Sequence, residues 1–113
     1  MKSRFVLPLI LILLLALLAG CGSSLRQEIV GKWSGACHFA LGSNASMDFH
    51  QIEFVSSGTA ILDGYTADYS FIDDQRIKIQ SGMIGIALTA SIKDNSLTLT
   101  DESNEACVLH RIS

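Results

Sequence analysis

Clusters of turn-forming residues recur about every eight to twelve residues along most of this chain, a spacing typical of folds built from many short strands. Gly42-Ser43-Asn44, Ser56-Ser57-Gly58 and Asp94-Asn95 are examples. Between these clusters apolar and polar residues alternate, and no stretch after residue 28 carries the period of an amphipathic helix. The pattern predicts an all-β fold of antiparallel strands.

The alternation predicts eight strands in particular. In the second strand the apolar positions change parity, which predicts a β-bulge near His50-Gln51. The only proline, Pro8, precedes all of the predicted strands, so none is interrupted by proline. The predicted strands span residues 30–41, 47–55, 59–63, 65–71, 76–80, 83–92, 96–100 and 106–112.

The first 21 residues have the layout of a secretory signal that ends in a cysteine. Lys2 and Arg4 precede an apolar run over residues 5–18, and small residues then lead to Cys21. The run is shorter than the roughly 20 residues that a membrane-spanning helix needs. Its ending, Leu-Ala-Gly-Cys, resembles the lipobox of bacterial lipoproteins, which implies cleavage before Cys21 and a diacylglyceryl group on the Cys21 thiol.

This resemblance divides the chain into three segments and gives it a location. We expect a signal peptide over residues 1–20, the lipidated Cys21 with a short tether over residues 21–28, and a barrel domain over residues 29–113. Membrane lipid, reached through acylated Cys21, is then a partner. The implied location is the bacterial cell envelope: the periplasmic face of the outer membrane in a Gram-negative cell, because Gly22 is not aspartate, and otherwise the outer face of the cell membrane.

The charge balance argues against nucleic acid as a partner. The chain has eight Lys and Arg against eleven Asp and Glu. Two of the basic residues belong to the predicted signal peptide, so the 93 residues from Cys21 onward keep six basic and eleven acidic residues, a net charge of −5. The acidic residues are scattered and form no block. We therefore expect no nucleic-acid binding.

Two residue pairs with the same spacing lie near opposite ends of the predicted domain. Trp33 precedes Cys37 by four residues, and Cys107 precedes Arg111 by four. If the first and last strands pair with Cys37 opposite Cys107, Trp33 lies opposite Arg111. With Cys21 modified by lipid, Cys37 and Cys107 form an even pair in an oxidising compartment, which predicts a disulfide. The same pairing closes the sheet into a barrel without free edges.

These residues also carry a family resemblance. Gly31-Lys32-Trp33 resembles the G-x-W motif that opens lipocalins and related calycin barrels, and Arg111 is similar to the arginine that packs over that tryptophan. The resemblance implies a small lipocalin-like domain of a bacterial lipoprotein, folded as an eight-stranded up-and-down barrel. It further implies binding of a small apolar ligand or a lipid.

Tyr65, Tyr69 and Phe71 share one face of the predicted fourth strand. Core packing is one interpretation, because half-buried strands alternate in this way. The other is an aromatic patch at the barrel mouth that contacts a ligand or partner. An alternative function also stays open: a protein-interaction module, such as an inhibitor of a secreted protease or lysozyme, or a structural protein of the envelope.

No residue pattern indicates catalysis or metal binding. His38, His50 and His110 fall at separate positions of the predicted strands, too far apart to share one zinc ion. No serine lies in a nucleophile elbow. The sequence therefore predicts no enzymatic activity, no metal and no cofactor.

Overall fold

A computed structural model describes residues 24–42 and 44–113 of the chain. The predicted signal peptide and Cys21 lie outside the described residues. Within the described ranges, no helix is long and apolar enough to cross a membrane.

The described residues form one short helix and eight antiparallel strands. Each strand pairs with its neighbours in sequence, and the last pairs with the first, so the sheet is a closed up-and-down barrel. The prediction of an all-β, eight-stranded barrel is confirmed. The elements are α1 (Leu25–Glu28), β1 (Gly31–Ala40), β2 (Ser46–Val55), β3 (Thr59–Leu62), β4 (Tyr65–Phe71), β5 (Arg76–Ser81), β6 (Ile84–Lys93), β7 (Ser96–Thr100) and β8 (Ala106–Arg111).

Short turns that contain residues with positive φ join most of the strands. Asp63-Gly64 joins β3 to β4 with φ values of 49° and 92°. Asp-Gly is a favoured pair for two-residue hairpins, because both central residues of such a turn require positive φ. Asp94, with φ 57°, plays the same part between β6 and β7. Local turn chemistry thus sets the hairpins that the sequence predicts.

Alternate residues of the strands face the barrel interior and form a single apolar core. No polar or charged residue of the described chain is buried. The largest fully buried side chains come from six of the eight strands, all except β3 and β4, and from the segment before β1: Trp33, Phe39, Phe49, Phe54, Ile29, Ile52, Ile77, Leu88, Leu97, Leu99 and Leu109.

The predicted bulge is present opposite His50, but its extra residue lies on β1 rather than on β2. The change of parity on β2 is real, because Phe49 and Ile52 are both buried. The register shifts, however, between Ser34 and Cys37, so the extra residue belongs to β1. Gly35 lies there, and a Cβ on it would collide with the Val108 carbonyl oxygen of β8. This close approach of β8 accompanies the displacement of β1 from regular pairing.

Residues 25–28, which the sequence predicts as part of a tether, form α1 and pack on the barrel. Leu25 is half-buried against the core. Ile29, directly after the helix, is fully buried. Part of the segment predicted as a tether therefore contacts the barrel core.

Candidate functional site

The two ends of the barrel differ. One end carries α1, the chain terminus at Ser113 and the turns after β2, β4 and β6; we call it the closed end. The other end carries the turns after β1, β3, β5 and β7; we call it the mouth. The residues predicted to matter divide between these two ends.

Trp33 and Arg111 lie at the closed end. The register of β1 and β8 places them directly opposite each other, as their spacing predicts. The guanidinium carbon of Arg111 lies 4.1 Å from the centroid of the Trp33 ring, within the range of a cation–π contact. Trp33 is fully buried, and its Nε1–H donates to the Ile29 carbonyl oxygen at 2.8 Å. The Trp33–Ile29 hydrogen bond and the Trp33–Arg111 contact together hold the segment before β1 against the last strand.

The Arg111 guanidinium also binds backbone carbonyls before β1. Its Nη1 donates to the Val30 oxygen at 3.1 Å, and its Nη2 donates to the Glu28 oxygen. Gly31 leaves room for this group: a Cβ there would lie 2.6 Å from the Arg111 Nη1, and the Gly31 φ is +137°. Each residue of the G-x-W and arginine set thus has a structural reason to be there.

The three aromatic residues predicted as one patch are separated. Tyr69 is buried, and its hydroxyl donates to the Val55 carbonyl oxygen at 2.8 Å. Burial raises the pKa of this hydroxyl. Phe71 is half-buried near the closed end, with its ring centroid 5.7 Å from that of Tyr69 and Arg26 above its face. Tyr69 and Phe71 therefore pack in the core, and only Tyr65 lies at the mouth.

A cavity of about 270 Å³ opens at the mouth. Tyr65, Met83 and Ile84 are apolar residues near its opening, with exposed fractions of 80%, 101% and 54%. Met83 and Ile84 were not among the predicted contacts, although a Met-Ile pair directly after the Ser81-Gly82 turn is a visible signal. The cavity is lined by Leu41, Ser46, Met47, Asp48, Leu62, Tyr65, Thr66, Ala67, Ile79, Ser81, Ile84, Gly85 and Ile86.

A polar cluster borders this cavity. The Ser46 hydroxyl donates to Asp48 Oδ2 at 2.6 Å, and the His38 Nδ1 pairs with Asp48 Oδ1. The hydrogen bond from Ser46, followed by that from His38, lowers the pKa of Asp48. The hydrogen bond to Asp48 raises the pKa of His38. A negative charge on Asp48 therefore persists beside the cavity at neutral pH.

The disulfide joins β1 to β8 near the mouth. Cys37 and Cys107 are bonded, with Cα atoms 5.2 Å apart, which confirms the predicted pairing. The ladder between β1 and β8 ends at Ser34 and His110, so the disulfide holds the strands together beyond their regular pairing.

The histidines do not come together. His38 pairs with Asp48, His50 lies 3.8 Å from Asp63, and His110 contacts Ser96. Among residues 24–42 and 44–113, no group of three or more His, Cys, Asp or Glu residues could hold a metal ion.

Comparison with models of protein families finds no match for this chain, and comparison with curated proteins finds none either. The fold and the cavity themselves define the class: a closed eight-stranded antiparallel barrel, linked by a disulfide between its first and last strands, with a small cavity at one end.

Proposed function

We propose that this protein is a lipid-anchored, lipocalin-like lipoprotein of the bacterial envelope that binds a small apolar ligand or lipid at its barrel mouth. The observation that carries the proposal is the mouth cavity, whose walls include Leu62, Ile79 and Ile86. Most of the remaining interior is filled by the buried core. Ligand pockets in proteins are mainly apolar clefts with a few polar groups, which is the composition found here.

The cavity volume limits the ligand. A buried apolar cavity of about 150 Å³ holds one benzene molecule. The 270 Å³ at the mouth suits a molecule of about two rings or an alkyl segment of similar bulk. Ser46, Thr66 and Ser81 offer hydroxyls to a polar head, whereas the Asp48 carboxylate disfavours an anionic one. The proposed ligand is a neutral amphiphile.

The anchor determines which end faces the membrane. Ser24 leads into α1 at the closed end, and only Gly22 and Ser23 separate it from Cys21. The three residue-to-residue steps from Cys21 to Ser24 span at most about 11 Å. A diacylglyceryl group on Cys21 would therefore hold the closed end against the bilayer and direct the mouth away from it. A ligand then enters from the aqueous side.

Binding is tested with the neutral fluorescent probe N-phenyl-1-naphthylamine. Ala67 is buried and lines the cavity, so Ala67→Phe fills it, whereas exposed Ala106 on β8 provides a matched control for the same change. We expect saturable probe fluorescence for the natural chain and for Ala106→Phe, and at least a tenfold loss of affinity for Ala67→Phe. Equal affinities in all three proteins would contradict the proposal.

The anchor is tested by detergent phase separation. Cys21→Ser removes the proposed lipidation site, and Cys37→Ser removes a cysteine sulfur, and with it the disulfide, without touching that site. We expect Cys21→Ser to move the protein from the detergent phase to the aqueous phase, while Cys37→Ser leaves partitioning unchanged. Detergent-phase recovery of the Cys21→Ser protein would refute the lipid anchor.

A second candidate function is a protein-interaction module. The exposed apolar residues Tyr65, Met83 and Ile84 favour it, because exposed apolar groups at one site are common where proteins associate. Crosslinking in intact cells, followed by purification, separates the two candidates: a stoichiometric protein partner supports the interaction module.

A further inference from the structure

β6 is longer than β7, one of the two strands that pair with it. β6 has ten residues and β7 has five, and their pairing ends at Thr89 opposite Thr100. Residues 84–88 of β6 therefore pair with β5 on one side but extend past β7 on the other. Within the part of the chain that the structure describes, this stretch is a strand edge that no other strand covers.

The backbone groups on this edge can be assigned. The Ala90 amide donates to the Gln75 carbonyl oxygen at 2.8 Å, so even-numbered residues of β6 direct their amides toward β5. Gly85 and Ala87 consequently direct their N–H and C=O groups away from β5. Among the described residues, neither has a hydrogen-bonding partner on that side. An added strand, paired along this edge in one register, would form hydrogen bonds with the N–H and C=O groups of both Gly85 and Ala87.

The edge borders a notch in the barrel wall. A volume of about 470 Å³ lies between β6, the end of β1 and the turn that joins β7 to β8. Leu41, Gly85 and Ile86 line both this notch and the mouth cavity, so the two spaces lie next to each other. A chain paired with the β6 edge would direct alternate side chains toward the cavity side of the sheet.

The charge at the notch favours a basic occupant. Asp101 and Glu102 line it from the turn and Lys78 lines it from β5, so the notch has one more negative than positive side chain. The Asp101 carboxylate accepts hydrogen bonds from the Ser103 and Glu105 amides. Glu102 is exposed and forms no salt bridge among the described residues. A second copy of this acidic chain would bring like charges together, whereas a basic segment of another protein would pair with Glu102.

We propose that the β6 edge at residues 84–88 binds an extended segment of a partner protein by strand addition, with apolar residues toward the cavity and basic residues toward Glu102. Main-chain hydrogen bonds supply affinity in this mode, and alternate side chains supply selectivity. The proposal depends neither on the lipid anchor nor on a small ligand.

The test uses the purified full chain and the capped peptide Val-Lys-Val-Lys-Val, which alternates as the edge requires. Hydrogen exchange is followed by mass spectrometry across residues 84–88, and affinity is measured by calorimetry. We expect saturable binding that slows exchange in this stretch. The control peptide Val-Lys-Pro-Lys-Val, which lacks a central amide donor, should bind at least tenfold more weakly.

Two variants of one residue isolate the backbone. Ala87→Pro removes the amide that faces the notch without removing a bond to β5, whereas Ala87→Val keeps that amide. We expect about tenfold weaker binding for Ala87→Pro and little change for Ala87→Val. Glu102→Lys, which touches no strand pairing, should weaken binding about two- to fivefold. It keeps the test valid if the proline variant fails to fold.

Three results would overturn the proposal. One is the absence of saturable binding by Val-Lys-Val-Lys-Val, and another is equal binding of the proline-containing peptide. The third is a dimer, detected by sedimentation, whose formation slows exchange at residues 84–88, because that would assign the edge to a second copy of this chain.

Discussion

The guanidinium of Arg111 stacks on the ring of Trp33 at 4.1 Å, and the two residues face each other across the first and last strands. The contact lies at the closed end, on the opposite side of the barrel from the mouth cavity. The Arg111 guanidinium donates its hydrogen bonds to backbone carbonyl oxygens of the same chain. The residues that resemble the lipocalin signature therefore close the barrel and lie apart from the proposed ligand.

Replacing Arg111 should lower stability without affecting binding. Arg111→Lys keeps the charge but loses the planar fork that reaches two carbonyls while covering Trp33. We expect a loss of about 1–3 kcal/mol in the free energy of unfolding, measured with urea. Affinity for the naphthylamine probe should stay unchanged, because the cavity is at the other end. A large loss of probe affinity in the folded variant would show that the signature residues contribute to binding.

The disulfide should contribute more than any single side-chain contact. Cys37 and Cys107 are 70 residues apart in sequence, and closing so long a loop stabilises a fold by about 4 kcal/mol on the chain-entropy model. We expect Cys37→Ser and Cys107→Ser to destabilise the protein to a similar extent, and the double variant to add little. Urea unfolding of the three variants measures this. Fully additive losses would be inconsistent with a shared bond.

Asp63 should stabilise β2 beside the bulge. Its carboxylate accepts hydrogen bonds from the His50 and Gln51 amides at 3.0 and 2.9 Å. Asp63→Ala leaves both amides without this acceptor and also places alanine at positive φ, so we expect a loss of about 1–2 kcal/mol. Asp63→Asn keeps one acceptor oxygen and tolerates this backbone conformation, so its loss should be smaller. Equal losses in thermal unfolding would mean that the acceptor is not the cause.

The His38–Asp48 pair should make stability depend on pH. Because the folded-state pKa of His38 is raised, its stabilisation is complete below about pH 6.5 and is lost as the pH rises through the folded-state pKa. Because the pKa of Asp48 is lowered, its stabilisation is present above about pH 3.9 and is lost as the pH falls through the folded-state pKa.

The difference in melting temperature between the natural chain and Asp48→Asn should therefore be largest near roughly pH 5–6 and should shrink toward both extremes. In an NMR titration, Asp48→Asn should lower the pKa of His38. A His38 pKa that does not respond to the substitution would contradict the role assigned to this pair.

The eight strands could be predicted because their determinants are local. Turn pairs such as Asp63-Gly64 and the alternation between turns fix where most strands begin and end. The bulge near His50 could be predicted because its parity change appears on β2, but the sequence does not show that the extra residue lies on the facing strand β1, beside Gly35. Helix α1 could not be predicted, since four residues are too few to show a helical period.

The site was predicted less well because it depends on how far each strand extends. Tyr65, Tyr69 and Phe71 share one face of β4, but the strand runs the length of the barrel and places Tyr65 at the mouth and Phe71 near the closed end. Tyr65 and Phe71 therefore differ in their position along the barrel axis, although they share one face of the strand. The excess length of β6 over β7 is already present in the predicted strands 83–92 and 96–100, but the notch beside residues 84–88 depends on where the end of β1 and the turn after β7 lie, which the amino-acid sequence does not reveal.

The most direct measurement of the central claim is NMR detection of N-phenyl-1-naphthylamine bound to methyl-labelled protein. The proposal predicts nuclear Overhauser effects from probe protons to the methyl groups of Ala67, Ile79 and Ile86, which line the mouth cavity. It predicts none to Leu109, which is fully buried in the core. Effects absent from the cavity methyls, or a probe held only at the outer surface, would contradict ligand binding in the barrel mouth.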